Sequence, residues 1–327
     1  MSKVLGMGNA LVDIITRIEN DRILESFGLP KGSMTLVDLN TSNFIHAETA
    51  GFKKQKASGG SAANTIHGLS HLGISTGFIG KVGDDDLGKF FQKDMKNNNI
   101  QTILFRSINE TGRVIALISP DSERTFATYL GAAIELSDDD LTSEIFKGYD
   151  YFYIEGYLVQ NESMMEKALR LAVNNNLKVC LDLSSYNVVE NRREFFYTII
   201  RNYVDILFAN DEEVKALTGK EPEEGAAELD PMVGIVAVKL GPRGSLISSK
   251  GKMIKIAIRP AKSIDTTGAG DLYASGFIYG HIKGLSLETC GKIGSILARR
   301  IIEVIGSKMN ESLWENLRRQ IKALESQ

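Results

Sequence analysis

Cysteine is nearly absent from this chain, and no long apolar run occurs in it. Only Cys180 and Cys290 are present among 327 residues, which is too few for a disulfide framework and favours a reducing compartment. Without about 18 consecutive apolar residues, no segment is expected to cross a membrane. The first residues reach Asp13 soon after their apolar stretch and lack the layout of a signal peptide. We therefore expect a cytoplasmic protein.

An excess of positive charge is also lacking. The chain carries 38 Lys and Arg residues against 41 Asp and Glu residues, for a formal net charge of −3. Because a nucleic-acid-binding protein is expected to carry a basic face, this class is disfavoured. Hydrophobic residues make up 43% of the chain, which is an ordinary globular composition. No repeat or Pro/Gly-rich linker divides the sequence, so we expect a single domain over residues 1–327.

From about residue 150 onward, apolar runs alternate with segments of helical periodicity such as 163–174 and 192–202. This alternation predicts a doubly wound, mostly parallel α/β sheet with helices on both faces. The predicted buried strands are 151–155, 178–183, 205–209 and 235–239.

The first 135 residues are less regular, and several short predicted strands follow one another without helices. They favour a small, partly antiparallel sheet that acts as a lid over a cleft and excludes water. The exposed edges of such a lid could also pair in a homodimer. The lid strands are expected within about 10–40 and 101–133, at 11–18, 34–37, 103–107, 113–119 and 125–130.

The segment with the clearest chemistry is Asp265-Thr-Thr-Gly-Ala-Gly-Asp271, which precedes a predicted helix over 272–282. The Gly268–Gly270 turn should open this helix, where unpaired amides and the helix dipole attract an anion. Such a turn can hold the charge that develops on a phosphoryl group in transfer. Asp271 should stay ionised there and accept the proton of an attacking hydroxyl. Taken alone, the pattern fits an ordinary turn with a first-turn acid equally well.

A second glycine-rich loop, Ser58-Gly-Gly-Ser-Ala-Ala-Asn64, precedes a predicted helix over 62–72. Adjacent glycines permit close approach of the backbone to a ligand, and Asn64 can donate to and accept from hydroxyls. By itself this loop is weak evidence, because Gly-Gly-Ser before a helix also serves as a loop and cap.

Together, the two loops resemble the two signatures of the ribokinase-like (PfkB) carbohydrate and purine kinase family. Their order and separation match, and the similarity covers essentially the whole chain. Three further segments are similar to the family pattern: GNALVD at 8–13, NDEE at 210–213 and KLGPRG at 239–244. The resemblance implies a ribokinase-like fold and an ATP-dependent kinase that acts on a small molecule.

The resemblance also implies a role for each matching residue. Asp271 would be the catalytic base, with an anion hole formed by Gly268, Ala269 and Gly270. The other matches would bind the substrate (Asp13, Gly59, Gly60, Asn64), the nucleotide (Asn210, Glu213, Lys239, Gly241, Gly244), magnesium through water (Glu213) or a monovalent cation (Asp265, Thr267). The implied cofactors are ATP and Mg²⁺, with K⁺ as a further candidate.

Some of these residues have simpler explanations. Asn210 and Glu213 also satisfy the capping-box rule for a helix start, and 241–244 is a good turn between strands whatever it contacts. Glu155 lies outside the resemblance but ends a predicted strand. Because ligands of open α/β sheets collect at the carboxyl ends of strands, we expect Glu155 to contact the substrate.

Three other patterns carry no function. Gly83–Phe90 imitates a P-loop, but its last residue lacks the hydroxyl that holds magnesium and its three aspartates would repel phosphates. Gly6-Met-Gly8 lacks the third glycine of a dinucleotide fingerprint. His67 and His71 have neither the glutamate nor the third ligand of a zinc site.

The acceptor is open between two classes. Asp13 and Asn64 suit a furanose, either a free sugar, which we prefer, or the ribose of a nucleoside. A nucleoside also needs a flat apolar slot, for which the candidates are Phe126, Tyr129 and Tyr157; the first two fall on opposite faces of one strand. A phosphorylated sugar or sugar acid would need cations, for which the candidates are Arg106, Arg113 and Arg124. A non-catalytic sensor is disfavoured by the intact Gly-Ala-Gly-Asp.

Overall fold

A computed structural model describes residues 2–121 and 123–325, which form two β-sheets and the helices around them. The strands are β1 (Lys3–Met7), β2 (Leu11–Arg17), β3 (Met34–Leu36), β4 (Lys54–Gly59), β5 (Ser75–Gly83), β6 (Ile100–Ser107), β7 (Thr111–Ile118), β8 (Arg124–Gly131), β9 (Tyr151–Glu155), β10 (Lys178–Asp182), β11 (Ile206–Asn210), β12 (Ile235–Lys239), β13 (Ser245–Ser249) and β14 (Lys252–Ile256). The α-helices are α1 (Arg22–Ser26), α2 (Leu39–Glu48), α3 (Ser61–His71), α4 (Asp86–Asn97), α5 (Ser143–Phe146), α6 (Glu162–Asn174), α7 (Tyr186–Asn191), α8 (Arg193–Tyr203), α9 (Asp211–Thr218), α10 (Pro222–Leu229), α11 (Ala269–Ile282), α12 (Leu287–Ile301) and α13 (Glu311–Glu325).

The larger sheet has nine strands in the order β14-β13-β12-β11-β10-β9-β1-β5-β6. Neighbours from β12 to β6 are parallel, whereas β13 and β14 run antiparallel at one edge. Alternate residues of β9 enter two apolar clusters, Tyr153 packing with α3, α11 and α12 and Phe152 packing with α6, α8 and α9. The sheet is therefore covered on both faces, and the predicted doubly wound α/β fold is confirmed.

The smaller sheet, which we call the lid, has five strands in the order β3-β8-β7-β2-β4 and mixes parallel and antiparallel pairs. The strands that form the lid differ from the predicted ones in two respects. The segment 103–107 lies in β6 at the edge of the larger sheet, because β6 follows α4 as a crossover and pairs in parallel with β5. In its place β4 completes the lid; its sequence KQKASG has no β-branched or aromatic residue to mark a strand.

Among the described helices, none combines the length and the apolar content that a membrane crossing requires. Both cysteines are free and buried.

Candidate active site

A cavity of about 870 Å³ lies between the lid and the carboxyl ends of the parallel strands. Ligands of doubly wound folds bind at this edge of the sheet. The polar residues that end four consecutive parallel strands and line the cavity are Glu155, Asp182, Asn210 and Lys239. The turn that opens α11 closes the cavity from a third side.

Asp271 lies in the first turn of α11 and faces the cavity. Its carboxylate accepts hydrogen bonds from Ser61 Oγ at 2.7 Å and from Asn64 Nδ2 at 3.0 Å. Both donors come from the start of α3, so the two glycine-rich loops of the sequence meet at this carboxylate. Burial raises the pKa of Asp271 to about 6, against the lowering effect of the two hydrogen bonds. The group is mostly ionised at neutral pH, with a pKa close to the value that suits a general base.

The Gly268–Gly270 turn presents main-chain amides to the cavity. Gly268 adopts φ 77°, a left-handed conformation that favours glycine. The amides of Gly268 and Gly270 have no acceptor among the described residues, and both residues line the cavity. The amide of Ala269 instead donates to the carbonyl oxygen of Thr266 at 3.1 Å. Within the described part of the chain, two amides of the turn are thus free, while forming the turn uses the Ala269 amide, and the expected three-amide anion hole stays a prediction.

Lys239, at the end of β12, places a cation beside this turn. Its ammonium lies 2.8 Å from Asp182 Oδ2 and 3.0 Å from the point where a side chain on Gly270 would begin. Burial lowers the pKa of Lys239, but Asp182 and Glu213 outweigh it and raise the pKa overall. A residue larger than glycine at 270 would displace a permanently charged ammonium.

Asn210 and Glu213 form the capping box that their spacing predicts. Asn210 Oδ1 accepts from the Glu213 amide at 2.8 Å, and Glu213 Oε2 accepts from the Asn210 amide at 2.8 Å. Both residues also line the cavity. Burial raises the pKa of Glu213 to about 7, with Lys239 acting against the rise. The cap thus holds a carboxyl group rigidly in the cavity wall.

Asp13 reaches the cavity from lid strand β2, on the same face as Leu11 and Ile15. Burial raises the pKa of Asp13 to about 6; Lys308 lowers it, and the charge of Asp271 adds to the rise. The two aspartates thus line one cavity, one from a lid strand and one from a helix.

Gly59 and Gly60 are needed for different reasons. A Cβ atom on Gly59 would lie 2.2 Å from Asp13 Oδ1, so this glycine makes room for the carboxylate and does not itself line the cavity. Gly60 has φ 99° and approaches the carbonyl oxygen of Asn9, where a Cβ atom would lie 2.1 Å away. Of the two expected substrate-binding glycines, Gly60 lines the cavity.

Lys308 lies in the segment between α12 and α13 and was not predicted from the sequence as a site residue. Its ammonium donates to Asn64 Oδ1 at 3.1 Å, while Asn64 Nδ2 donates to Asp271. Each end of the Asn64 amide thus makes one bond that helps to position Asp271. Its second N–H and second lone pair leave the expected contact with substrate hydroxyls as a prediction. Burial lowers the pKa of Lys308 to about 8. No local pattern marks a lysine in a connecting segment, so the sequence offered no signal.

Glu155 lines the cavity, but its carboxylate is occupied by the protein. Oε1 accepts from the Asn9 amide and from Asn9 Nδ2, each at 2.9 Å, and Oε2 accepts from the Ala62 amide at 2.7 Å. These contacts favour a positioning role that joins the β1–β2 connection to α3, in place of the substrate contact expected from its strand-end position. Asp182 ends the neighbouring strand, and the same strand-end rule would have found it.

The turn 241–244 divides between two environments. Gly241 lines the cavity. Gly244 has φ 90°, and a Cβ atom there would lie 1.9 Å from the carbonyl oxygen of Ile256. Close packing on β14 therefore places Gly244 outside the cavity lining, contrary to the expectation that it contacts the nucleotide.

The two residues expected to bind a monovalent cation instead contact an arginine. Arg124, the first residue of β8, forms an ion pair with Asp265, and its Nη1 donates to Thr267 Oγ1 at 3.2 Å. Asp265 is 5% exposed and Arg124 is 8% exposed. A buried guanidinium from the lid thus occupies this position.

The lid underside, by which we mean the lid residues that line the cavity, is mainly apolar. Phe126 belongs to it, whereas Tyr129 lies against the Arg113 guanidinium, 5.5 Å from its ring centre, and outside the cavity lining. Strand alternation predicted this separation. The apolar residues of the lid underside are Leu11, Ile15, Met34, Leu36, Val114, Ala116, Phe126 and Leu130.

The other candidate cations for an acidic substrate are directed elsewhere. Arg113 donates to Ser42 Oγ and pairs with Glu110, and Arg106 donates to the carbonyl oxygen of Gly83 and to Gln92. Neither arginine lines the cavity.

Comparison with known proteins agrees with this arrangement. The model of the pfkB family carbohydrate kinases matches residues 34–312. The chain belongs to this family. It is 32% identical over 296 residues to the 5-dehydro-2-deoxygluconokinase of Clostridium beijerinckii, covering 84% of this chain and 86% of that relative.

Solved structures give the same assignment for this PfkB kinase. A probable sugar kinase from Rhizobium etli matches with a TM-score of 0.88 and 32% identity, covering 99% of each chain. The adenosine kinase of Sinorhizobium meliloti matches with a TM-score of 0.87 and 33% identity, covering 98% of this chain and 99% of that one. The predicted fold and the predicted phosphotransferase activity are confirmed, with relatives in both the sugar and the nucleoside class. Kinases of this family use ATP and usually a divalent metal.

Proposed function

We propose that this PfkB kinase transfers the γ-phosphoryl group of ATP to the primary hydroxyl of a ribonucleoside. The observation that carries the choice of acceptor is the mainly apolar lid underside, in which Asp13 is the single carboxylate among the described residues. A carboxylate accepts hydrogen bonds from two adjacent hydroxyls, as a ribose diol presents them. The apolar residues around it, with Phe126 among them, suit the flat face of a base.

A free sugar fits this surface less well. Its remaining hydroxyls would face the apolar side chains of the lid, and burying a hydroxyl without a partner costs about 1–3 kcal/mol. A sugar acid or phosphorylated sugar would need a cation near the lid, but Arg106 and Arg113 are directed away and Arg124 is paired with Asp265. The sequence favoured a sugar, with a nucleoside as the alternative; relatives of both classes match the chain, and this proposal takes the nucleoside.

The chemistry follows from the residues around Asp271. The Asp271 carboxylate takes the proton of the primary hydroxyl as the oxygen attacks the γ-phosphorus. A new P–O bond forms, the bond to the β–γ bridging oxygen breaks, and ADP leaves. The amides of Gly268 and Gly270 and the Lys239 ammonium stabilise the charge on the transferring group. Lys308 holds the base in place through Asn64.

ATP is expected along the later loops, beside Asn210, Gly241 and the Gly268–Gly270 turn. No group of three or more His, Cys, Asp or Glu side chains converges into a metal cage within the described residues. This fits Mg²⁺, which usually takes one or two carboxylates together with substrate phosphates. Glu213 and Asp182 would hold it through water, and it would neutralise phosphate charge.

A substrate panel tests the proposal. Initial rates of ADP formation are measured with adenosine, guanosine, cytidine, ribose, fructose and 5-dehydro-2-deoxygluconate, in the presence of Mg²⁺ and K⁺. We expect kcat/KM for the best nucleoside to exceed that for the best sugar by about 100-fold or more. A substrate that leaves buried polar groups without hydrogen-bond partners is usually rejected by a factor of this size or larger. A sugar or sugar acid as the best substrate would refute the choice of acceptor, and no turnover with any acceptor would refute the kinase itself.

A further inference from the structure

Asp265, where the sequence resemblance suggested a monovalent cation, already pairs with the cationic side chain of Arg124. Asp265 Oδ1 accepts from the Thr267 amide at 2.8 Å and pairs with Arg124, and Oδ2 accepts from the Gly306 amide. The carbonyl oxygen of Ile302, which faces the same loop, accepts from the Asp265 amide at 3.1 Å and from the preceding amide at 2.7 Å. Both oxygens of Asp265 and the carbonyl oxygen of Ile302 therefore already accept from N–H donors, and one of the donors to Asp265 is a cation.

From this geometry we infer that Arg124 takes the place of the monovalent cation, so that this kinase works without K⁺. The guanidinium supplies the single positive charge that a buried carboxylate needs, since an unpaired carboxylate with 5% exposure would be strongly destabilising. A metal ion and a guanidinium cannot share Asp265, because two unit charges about 4 Å apart repel by several kcal/mol in a partly buried site.

The charge on Arg124 is maintained at neutral pH. A guanidinium does not lose its proton in the physiological range. The charge is also oriented: Nη1 contacts both Asp265 and Thr267, the residues immediately before the Gly268–Gly270 turn. Arg124 is thus a positioning residue, which fixes the turn and connects it to lid strand β8.

The same loop retains oxygen atoms that a cation could use if Arg124 were removed. The Ser307 hydroxyl, next to Gly306, is buried and has no hydrogen-bond partner among the described residues. Removal of the guanidinium would leave Asp265, Thr267 and Ser307 to receive an ion. Arg124→Ala should therefore create a dependence on K⁺ that the natural chain lacks.

The experiment compares K⁺, Na⁺ and N-methylglucamine at constant ionic strength, with two readouts. For the natural chain we expect turnover to vary by less than about twofold, a change too small to report a lost interaction. The melting temperature of the substrate-free protein should be the same in all three salts. For Arg124→Ala we expect a lower melting temperature that rises by about 2 °C or more in K⁺ alone, as ion binding to the native state stabilises it. Turnover of this variant should rise in K⁺ as well.

Two further variants keep the test decisive. Arg124→Lys keeps the charge, and we expect it to fold and to ignore K⁺; it replaces the alanine variant if that one does not fold, and a K⁺ response in it would then refute the inference. Arg113→Ala removes another buried lid arginine that does not touch the turn, so it should lose stability without gaining a response to K⁺.

Activation of the natural chain by K⁺ of about tenfold, with a K⁺-specific rise in its melting temperature, would overturn the inference. An unchanged salt response in Arg124→Ala would do the same. The melting curves need no substrate, so they stand apart from the choice of acceptor.

Discussion

At the scale of single residues, the chemistry depends on a carboxylate that is buried and yet reachable from the cavity. Asp271 accepts from Ser61 and Asn64, and Asn64 in turn accepts from Lys308. This chain of contacts orients the base toward the cavity while a cation is kept nearby. Its parts can be separated by mutation.

Asp271→Asn tests the base directly. The amide keeps the size of the side chain but cannot take a proton, so turnover should fall by about 10²–10⁴-fold, the usual contribution of a general base. Because a buried charge is removed, the melting temperature should stay the same or rise. Nucleoside binding measured by calorimetry should be retained. A near-normal turnover number would remove Asp271 from the role of base.

The pH dependence of kcat/KM tests the environment of the base. The pKa of Asp271 and that of Asp13 are each raised to about 6, in both cases mainly by burial. The reaction needs Asp271 ionised, so kcat/KM should fall as the pH drops through about 6. The charge of Asp271 raises the pKa of Lys308, and the same attraction favours the ionised form of Asp271. Lys308→Met removes this cation, so it should move the acid limb to higher pH. An acid limb near the ordinary aspartate pKa, or one that Lys308→Met leaves in place, would contradict this account.

At the scale of elements, lid strand β8 directs three of its side chains to three different surroundings. Arg124 pairs with the turn before α11, Phe126 faces the cavity, and Tyr129 faces the opposite side. The period of two in a strand makes this separation possible. The strands β3 and β4 form the two edges of the lid, and their pairing in a homodimer stays a prediction that light scattering can check.

Phe126→Ala and Tyr129→Ala form a matched pair on this strand. If Phe126 stacks on the base, its removal should raise KM for the nucleoside by about tenfold or more, since base stacking on an aromatic ring contributes about 1–3 kcal/mol. The turnover number should change little. Tyr129→Ala should leave KM near its original value, because its ring lies outside the cavity. Equal effects of the two substitutions would argue against a base slot under the lid.

At the scale of the whole molecule, folding concentrates charge that the unfolded chain keeps in water. Burial raises the pKa of Glu155 and that of Glu213 to about 7, from ordinary values of 4.5. Each group binds its proton more tightly in the native state, so its stabilising contribution is present at low pH and is lost as the pH rises through about 7. The cavity is thus assembled at a cost in stability.

Glu155→Gln measures this cost. We compare the melting temperature of the variant with that of the natural chain at pH 5.5 and at pH 8. The value for the variant minus the value for the natural chain should be several °C higher at pH 8, because the proton linkage of Glu155 is about 1–3 kcal/mol. The comparison within one pair cancels the histidines, which titrate in the same range. Glu315→Gln, on a residue of α13 far along the chain, serves as control and should show no such shift. If the melting-temperature difference stayed constant from pH 5.5 to pH 8, burial of Glu155 would not affect the stability in the way expected here.

The amino-acid sequence by itself determined the architecture and the reacting loop. Alternating apolar runs and helical segments specify a parallel sheet with helices on both faces, and Gly268 and Asp271 follow from a local pattern that opens a helix. Both signals act over a few residues, where periodicity and turn chemistry are readable.

Only the tertiary structure decided how the side chains pair inside the cavity. Asn64 and Lys308 are 244 positions apart, and Arg124 reaches Asp265 from a strand of the lid. The strand 103–107 likewise joined the larger sheet because of its partner β5, which its own residues do not specify. Ion pairs and strand neighbours of this kind depend on where distant segments pack, and local sequence carries no period or spacing that records it. For the same reason the motif at 265–271 predicted a kinase loop, whereas the pairing of Asp265 with a lid arginine appears only in the structure.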